Sequence, residues 1–460
     1  MIKNSNYHTS SYKDNSGYIF EHNGKIYRKI NFRYKENYDY FNDSGLYAHL
    51  VKKNLLLQHF EIEPTADFFE IGSFYKIIQP LQAPLITYPY EWSFNQLKDA
   101  ALCTLKIAEE SLVYGMCLKD ASAFNIQFYK GNPILIDTLS FEVLTPNKPW
   151  AAYKQFCQHF LAPLALMSYC DERLNIMLKE YIDGIPLNLT SKLLPLQHYV
   201  NMDLLLHIDI HSYFTSNYSD STNYSIFNKT YTLKSLKGLL YSLQNTISKL
   251  SARHAKKTSW YDYYQQDVDE NYLICKKEIL QEYIKEIAPI KVLDIGANRG
   301  EFSMICAKKQ IFTVAIDSDT SCIDEMYRNS ANDFLVPLVL DISNLSGGIG
   351  WDTSERQSFF QRYQPDLILA LAITHHLVFS HSIPLRKQAE FFAKHSRFLI
   401  IEFVNETDYQ LIKLAHVRSF YDVDYSQNIF ETEFSKYFEL VKQISLSSTR
   451  TLYLYKKNDQ

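Results

Sequence analysis

Two stretches of this 460-residue chain carry polar side chains whose types and spacing are suited to ligand binding or catalysis. The first, VLDIGANRGEFS at 292–303, places Asp294, Gly296 and Gly300 where an apolar strand gives way to a helix. Glycines in such a turn allow positive φ angles and let the backbone approach a ligand closely. The order Asp-x-Gly-x-x-x-Gly differs from the Gly-x-Gly-x-x-Gly of hydride-transfer Rossmann sites.

Two more acids follow in order at the ends of later strand-like segments. Asp317 ends VAID and lies 21 positions after Gly296, a distance at which an acid can hydrogen-bond both hydroxyls of a ribose. Asp341 ends LVLD and is followed by Ile342. Each acid alone is more typical of a helix cap, but three at successive strand ends indicate a ligand site.

The elements that must position these acids alternate along the chain from about residue 286 to residue 460. Continuous apolar strands that alternate with helices predict a parallel sheet covered on both faces, and so an α/β domain. A hairpin, YFELVKQISL followed by RTLYLYKK, is predicted to close this domain. The predicted strands are IKVLDIG, TVAIDSD, FLVPLVLDI, PDLILALAI and RFLIIEFV, and the predicted helices are EFSMICAKKQ, TSCIDEMYRN, TSERQSFFQRY and LRKQAEFFAKH.

The order of these motifs resembles motif I and the following acids of class I S-adenosylmethionine-dependent methyltransferases. Further stretches resemble a bacterial two-part group of that family, some members of which are called nodulation proteins. They are GWDTSERQSFFQR (350–362), LALAITHHL (369–377) and LIIEFV (399–404), with YPYEWS (88–93) and FCQHFLAPLAL (156–166) in the preceding half. The resemblance covers nearly the whole chain and implies a Rossmann-like, seven-stranded C-terminal domain.

The resemblance also implies the cofactor, S-adenosyl-L-methionine, and the residues around it. Asp294 would lie near the methionine end, Asp317 on the ribose and Asp341 on the adenine amino group, with Ile342 covering the ring. The full set of residues expected to bind the cofactor is Asp294, Gly296, Asn298, Gly300, Asp317, Asp341 and Ile342.

Candidate catalytic residues follow the fourth and fifth strands. His375 and His376 come after the fourth strand, and a neutral imidazole near pH 7 suits removal of a hydroxyl proton. Because the preceding strand alternates, the two side chains should leave in different directions, and we favour His376; alternatively, the pair only orients a loop or covers the cofactor. Glu402 is the second candidate base. Tyr264 and Tyr272, before the first strand, are expected to line the cleft or to pack at the surface.

The second chemical stretch lies in the N-terminal half. CLKDASAFNIQF (117–128) and PILIDTLSF (133–141) give Asp120, Asn125 and Asp137 the spacing of the catalytic base and metal ligands of a phosphotransferase. This arrangement is similar to that of aminoglycoside-phosphotransferase-like kinases. The stretch therefore predicts a kinase-like fold.

Other kinase features are missing from the sequence. The first hairpin offers only Gly17 and Gly24 where a glycine-rich loop would cover the phosphates, and the helix predicted at 45–60 has no glutamate to pair a strand lysine. ATP with magnesium is therefore expected to bind weakly or not at all. The alternative interpretation is that Asp120 and Asn125 only cap turns.

At 460 residues the chain is too long for one compact domain, and its 46% apolar residues are enough to form ordinary buried cores. A formal charge of −4 gives no attraction to nucleic acid or anionic membranes, and neither an apolar span nor a metal-binding Cys pattern is present. We expect a cytoplasmic protein without a metal site or a nucleic-acid or membrane partner. Three domains are predicted: an α+β, kinase-like or substrate-binding domain at 1–195, a helical connector or lid at 196–285, and the methyltransferase domain at 286–460.

The sequence thus predicts a methyltransferase that acts on a small molecule or glycan-like acceptor, at oxygen. Two alternatives stay open. The chain is a bifunctional kinase-methyltransferase, or its N-terminal half is a non-catalytic module that presents a substrate or carrier. The acceptor and the oligomeric state are left open by the sequence.

Overall fold

A computed structural model describes residues 7–63, 73–212, 231–253, 270–330, 332–409, 411–412 and 424–459. The chain divides into two compact units. Unit 1 comprises Met1–Ala255 with Gly347–Gln357, and unit 2 comprises Lys256–Ser346 with Ser358–Gln460. Tyr264, predicted to line a cleft, lies outside the described residues. The predicted domain boundaries stay predictions.

Unit 1 opens with the predicted hairpin. Strands β1 (Gly17–His22) and β2 (Lys25–Ile30) pair antiparallel across Asn23 and Gly24, whose φ angles are 51° and 71°. Two consecutive positive φ angles are what a two-residue turn of this kind requires, which explains the Asn-Gly pair. With β3 (His59–Glu61) and β4 (Lys76–Pro80) the hairpin forms a four-stranded sheet of order β1-β2-β4-β3.

The main helix of unit 1 is α3 (Phe94–Val113), which has 20 residues. Its first turn is capped reciprocally, because Ser93 Oγ accepts from the Gln96 N–H and the Ser93 N–H donates to Gln96 Oε1 at 2.9 Å. The other helices of unit 1 are α1 (Lys35–Asp43), α2 (Leu46–Lys52), α4 (Tyr153–Phe156), α5 (Ala162–Tyr169), α6 (Met177–Glu180), α7 (Leu187–Leu193), α8 (Met202–Leu204) and α9 (Leu233–Lys249).

Short strands in unit 1 carry the kinase-like motif. β5 (Met116–Leu118) pairs with β8 (Phe141–Val143), and β6 (Ile126–Tyr129) pairs with β7 (Asn132–Leu135). Asn125 therefore stands just before the β6–β7 hairpin, and Asp137 stands just after it.

Unit 2 contains, within the described residues, a mixed sheet of seven strands in the order β11-β10-β9-β12-β13-β15-β14. Neighbours from β11 to β13 run parallel, whereas β15 runs antiparallel to both β13 and β14. The predicted α/β fold class and the closing hairpin are confirmed. The strands are β9 (Lys291–Ile295), β10 (Phe312–Asp317), β11 (Leu335–Val339), β12 (Leu367–Ala370), β13 (Phe398–Val404), β14 (Phe438–Ser445) and β15 (Arg450–Lys457).

Helices cover this sheet, and its core is apolar. Leu280 and Ile284 of the helix that precedes β9 pack with Val292, Leu369 and other buried side chains. The helices of unit 2 are α10 (Glu270–Ile287), α11 (Ser303–Lys308), α12 (Thr320–Asn329), α13 (Phe359–Arg362), α14 (Thr374–His381), α15 (Leu385–His395) and α16 (Gln427–Ser435). Among all described residues, no helix is both long and apolar enough to cross a bilayer.

Two predicted helices are shorter than expected. The helix predicted at 45–60 is α2 (Leu46–Lys52), and residues 59–61 form β3. TSERQSFFQRY was expected to be helical throughout, but α13 covers only Phe359–Arg362. Thr353, the first residue of that stretch, has a left-handed φ of 51°, and Arg356 pairs with Ile349 in an antiparallel bridge. The Ser358 N–H donates to Gln361 Oε1 where α13 starts. The residues before that start belong to unit 1.

Three buried histidines of unit 1 should make the protein sensitive to acid. Burial lowers the pKa of His59, His159 and His207 to about 4 in each case. An unfolded histidine has a pKa near 6.5, so below that pH the unfolded chain takes up protons that the folded chain refuses. The folded state therefore loses stability as pH falls from about 6.5 to about 4, by about 1.4 kcal/mol per pH unit for each proton.

We predict that the melting temperature of the whole chain falls across this pH range and that His207→Gln flattens the dependence. His22→Gln, at a partly exposed position, is the matched control and should leave the dependence as it is in the wild type. An unchanged slope in His207→Gln would contradict the role assigned to burial.

Candidate functional site

The three predicted acids meet at one edge of the unit 2 sheet. Asp294 lies on β9, Asp317 ends β10, and Asp341 follows β11, so all three approach the carboxyl ends of parallel neighbours. β9 lies between β10 and β12, where the strand order reverses direction. Ligands of open α/β sheets bind in the crevice at such a switch point.

The loop after β9 is held close to its neighbours. Gly296 and Gly300 have φ angles of 71° and 84°, and Asn298, at 49°, is also left-handed. A Cβ at Gly300 would lie 2.9 Å from Met326 Sδ, and one at Gly296 would lie 3.1 Å from Ile373 Cδ1. Both glycines are therefore favoured by the left-handed backbone, in which another residue would be strained, and an added Cβ would also press on the Met326 and Ile373 side chains.

Asp294 is buried, and its Oδ2 accepts a hydrogen bond from Ser303 Oγ at 2.5 Å. Burial raises the pKa of this carboxyl to about 7, and the Ser303 hydrogen bond and the Lys276 charge only partly oppose the shift. A cationic group bound nearby would stabilise the ionised form. Asp294 is therefore suited to a ligand that carries positive charge.

Asp317 is oriented by main-chain donors. Its Oδ2 accepts from the Asn298 N–H at 2.8 Å and its Oδ1 from the Asp319 N–H at 2.9 Å, and burial raises its pKa. These bonds fix the carboxylate between the β9 and β10 loops and leave acceptor capacity for a ligand hydroxyl.

Asp341 has one oxygen engaged by its own turn. Its Oδ1 accepts from the Ser343 N–H at 2.8 Å and from Ser343 Oγ at 2.6 Å, which starts the 3-10 turn Ile342–Asn344. Oδ2 has no hydrogen-bond partner in the part of the chain that is described. Ile342 is half-buried beside it. Asp341 therefore caps a turn and can still accept from a ligand.

The histidine pair lies on a helix and not on an extension of β12. The strand ends at Ala370, Ala372 adopts a left-handed φ of 57°, and α14 begins at Thr374. The expectation that His375 and His376 leave in different directions is wrong, because their ring centroids lie 4.1 Å apart. Successive residues of a helix start are about 100° apart rather than on opposite faces.

The two histidines have different surroundings. His375 is buried, and its Nδ1 has no hydrogen-bond partner among the described residues. Burial holds its pKa well below the usual value. His376 is half-buried; burial, with smaller effects of His381 and Arg450, lowers its pKa to about 4. Both rings are therefore neutral at pH 7.

Glu402 lies in a buried ionic network near the carboxyl end of β13. Its Oε2 is 2.5 Å from Lys276 Nζ, its Oε1 accepts from Tyr272 OH, and Arg450 Nη1 lies 3.5 Å from that oxygen. Burial raises the pKa of Glu402, but the Lys276 and Arg450 charges outweigh burial and lower it overall. Both oxygens of the carboxylate are thus engaged within the network.

Lys276, Arg450 and Asp408 are the residues of this network that sequence reasoning missed. Arg450 begins β15 and is fixed by Asp408, with Nε–Oδ2 at 3.0 Å and Nη2–Oδ1 at 3.3 Å. Lys276 follows Tyr272 by four positions, the spacing that places both on one face of α10. The four-residue spacing could have indicated that Lys276 lies beside Tyr272. A lone lysine on an amphipathic helix is usually solvent-exposed, however, so its burial was not predicted.

Unit 1 brings its three predicted residues together. Asp120 Oδ1 accepts from the Ser122 N–H at 3.0 Å and from Gln155 Nε2 at 2.8 Å. Asn125 Nδ2 lies 3.5 Å from Ser140 Oγ, which donates to Asp137 Oδ2 at 2.8 Å. Burial raises the pKa of Asp120, and the charge of Asp137 adds to the shift. The turn-capping interpretation is thus true of Asp120, but it does not account for the grouping.

Comparison with known proteins found one full-length curated relative, Nodulation protein NoeA of Rhizobium meliloti (strain 1021). It is 29% identical over 461 residues, which cover 98% of this chain and 96% of the relative. No family model matches the chain.

Solved structures match part of the chain. The N-methyltransferase NodS from Bradyrhizobium japonicum WM9 in complex with S-adenosyl-l-homocysteine is 13% identical, with a TM-score of 0.32 and coverage of 44% of this chain and 100% of NodS. The bifunctional kinase-methyltransferase WbdD is 19% identical, with a TM-score of 0.29 and coverage of 46% of this chain and 45% of WbdD. The TM-scores of both structures are near 0.3. The candidate site is therefore defined by the sheet and loops of this chain and not by these structures.

Proposed function

We propose that unit 2 is an S-adenosylmethionine-dependent methyltransferase that methylates an oxygen of a small-molecule or glycan-like acceptor. The observation that carries this proposal is the ordered placement of Asp294, Asp317 and Asp341 at adjacent parallel strand ends around a glycine loop. The curated relative NoeA matches over nearly its whole length, so both halves of the chain have counterparts in that protein.

The residues present fit the cofactor. Asp317, aimed by two main-chain donors, would accept from the ribose, and Asp341 Oδ2 would accept from the adenine amino group with Ile342 against the ring. Asp294, whose pKa is about 7 without a ligand, would be held ionised by the positive methionine end. When bound, the cofactor supplies an electrophilic methyl group.

Binding of the cofactor tests this assignment. We predict that calorimetry on the whole chain detects S-adenosylmethionine, and that Asp317→Ala weakens binding by about 1–3 kcal/mol because buried hydrogen bonds to the ligand are lost. Asp333→Ala, at an exposed position before β11, is the matched control and should bind as the wild type does. Normal affinity in a folded Asp317→Ala protein would remove Asp317 from the site.

Transfer to oxygen requires a base at the same edge of the sheet. Glu402 is engaged by Lys276 and Tyr272, whereas His376 is neutral and half-buried. In the proposed step His376 takes the hydroxyl proton at a ring nitrogen while the acceptor oxygen forms its bond to the methyl carbon. The proton then passes to solvent. His375, deeper in the protein, packs against the base and orients it.

We predict that His376→Ala lowers turnover 10²–10⁴-fold, the usual contribution of a positioned base, with nearly unchanged cofactor affinity. Since the pKa of His376 is about 4, wild-type turnover should stay level from pH 8 to about 5 and fall as pH passes through about 4. A screen for cofactor consumption over sugars, nucleosides and small metabolites supplies the acceptor. If His375→Ala and His376→Ala both keep turnover within a few-fold, the base lies elsewhere, and Glu402→Gln is the next variant.

A further inference from the structure

Unit 1 holds a group of acids that the methyltransferase proposal does not use. Asn125 Nδ2 lies 3.5 Å from Ser140 Oγ, and Ser140 Oγ donates to Asp137 Oδ2 at 2.8 Å. The charge of Asp137 also raises the pKa of Asp120, so the group consists of Asp120, Asn125 and Asp137. In protein kinases the positions of Asn125 and Asp137 hold magnesium and the position of Asp120 is the base. What occupies the cation position therefore decides whether unit 1 can transfer a phosphoryl group.

An arginine side chain bonds directly to the metal-ligand aspartate. Arg28 of β2 forms an ion pair through Nη1 with Asp137 Oδ1, and both side chains are nearly buried, at 11% and 13% exposure. The same Asp137 oxygen accepts from the Leu139 N–H at 2.9 Å. Together with Ser140, these donors engage both oxygens of Asp137, so the carboxylate is already compensated within the protein.

The N-terminal segment Tyr12–Ser16 holds the arginine from its other side. Asp14 Oδ2 lies 3.6 Å from Arg28 Nη2, and the Ser16 N–H donates to Asp14 Oδ1 at 2.7 Å. Ser16 Oγ in turn accepts from Lys119 Nζ, at 2.9 Å, next to Asp120 in sequence.

The same segment is anchored by an acid from the 347–357 part of unit 1. Tyr12 OH donates to Glu355 Oε2 at 2.7 Å, and Lys13 Nζ lies 2.9 Å from Glu355 Oε1. Glu355 is buried, and Arg356 beside it stacks over the ring of Phe124, 4.5 Å from the centroid, inside the Asp120–Asn125 motif. The contacts of Tyr12–Ser16 therefore place Asp14 beside Arg28.

We propose that the Arg28 guanidinium occupies the cation position of this phosphotransferase-like group and that Asp14 of the Tyr12–Ser16 segment holds it there. Magnesium needs near-octahedral oxygen ligands, and an ion on Asp137 Oδ1 would lie against the Arg28 guanidinium and be repelled by it. The residues present do not fit a magnesium–ATP complex. Unit 1 is accordingly stabilised by its own ion pairs, and it transfers no phosphoryl group.

The first test uses wild-type protein. Manganese(II), followed by electron paramagnetic resonance, and ATP with magnesium, followed by thermal unfolding, should both show no saturable micromolar binding. Saturable manganese binding that Asp137→Asn abolishes, or ATP-dependent phosphorylation of any acceptor, would overturn the proposal.

The second test is a gain of binding. Arg28→Met removes the internal cation and leaves Asp120, Asn125 and Asp137 in place, so manganese should now bind at least tenfold more tightly than to the wild type. The added affinity should vanish in Arg28→Met/Asp137→Asn, and Arg33→Met, at an exposed position nearby, should gain nothing.

A folded Arg28→Met protein without added manganese affinity would contradict the proposal. If Arg28→Met does not fold, Arg28→Lys decides together with the wild type. Its ammonium still pairs Asp137 and should exclude manganese, and manganese binding by this variant counts against the proposal.

Discussion

The ion pair between Lys276 and Glu402 is the interaction around which the functional edge of unit 2 is arranged. Both side chains are almost completely buried, and the pair joins α10 to β13. Removing one partner of a buried pair leaves an uncompensated charge and typically costs about 3–5 kcal/mol. Tyr272 and Arg450 converge on the same carboxylate, so the helix before the first strand and the antiparallel β15 are fixed at the carboxyl ends of the parallel strands. The same Arg450 charge also acts on His375 and His376. It adds to the burial that lowers the pKa of both rings and so keeps them neutral.

Much of the fold follows from local rules that act within a few residues. The Asn23-Gly24 turn, the Ser93-x-x-Gln96 cap and the alternation of apolar strands with helices in unit 2 were all predictable, because turn chemistry and periodicity decide them locally. The three acids at successive strand ends were predictable for a related reason. Parallel neighbours bring their carboxyl ends to one edge whatever the loops between them do.

What the sequence did not predict depends on partners far away along the chain. Lys276 and Arg450 are 126 and 48 residues from Glu402, and nothing near either residue marks it as buried. The apolar context of the histidine pair favours a continuation of β12, but the left-handed turn at Ala372 starts a helix there. Likewise, the left-handed backbone at Thr353 prevents the continuous helix expected from that residue through Phe359.

The two groups of acids show why residue type and spacing alone do not define a site. Asp317 and Asp341 are aimed by main-chain and hydroxyl donors, which carry no net charge and leave each carboxylate able to accept from a ligand. Asp137 stands at an equally suitable spacing, but its partner is a guanidinium that neutralises it. An acid satisfied by neutral donors remains a potential ligand for a polar or cationic molecule, whereas an acid paired with a buried arginine is already neutralised within the protein. The pairing state of each carboxylate, which only the tertiary structure reveals, therefore separates the proposed cofactor site of unit 2 from the phosphotransferase-like group of unit 1.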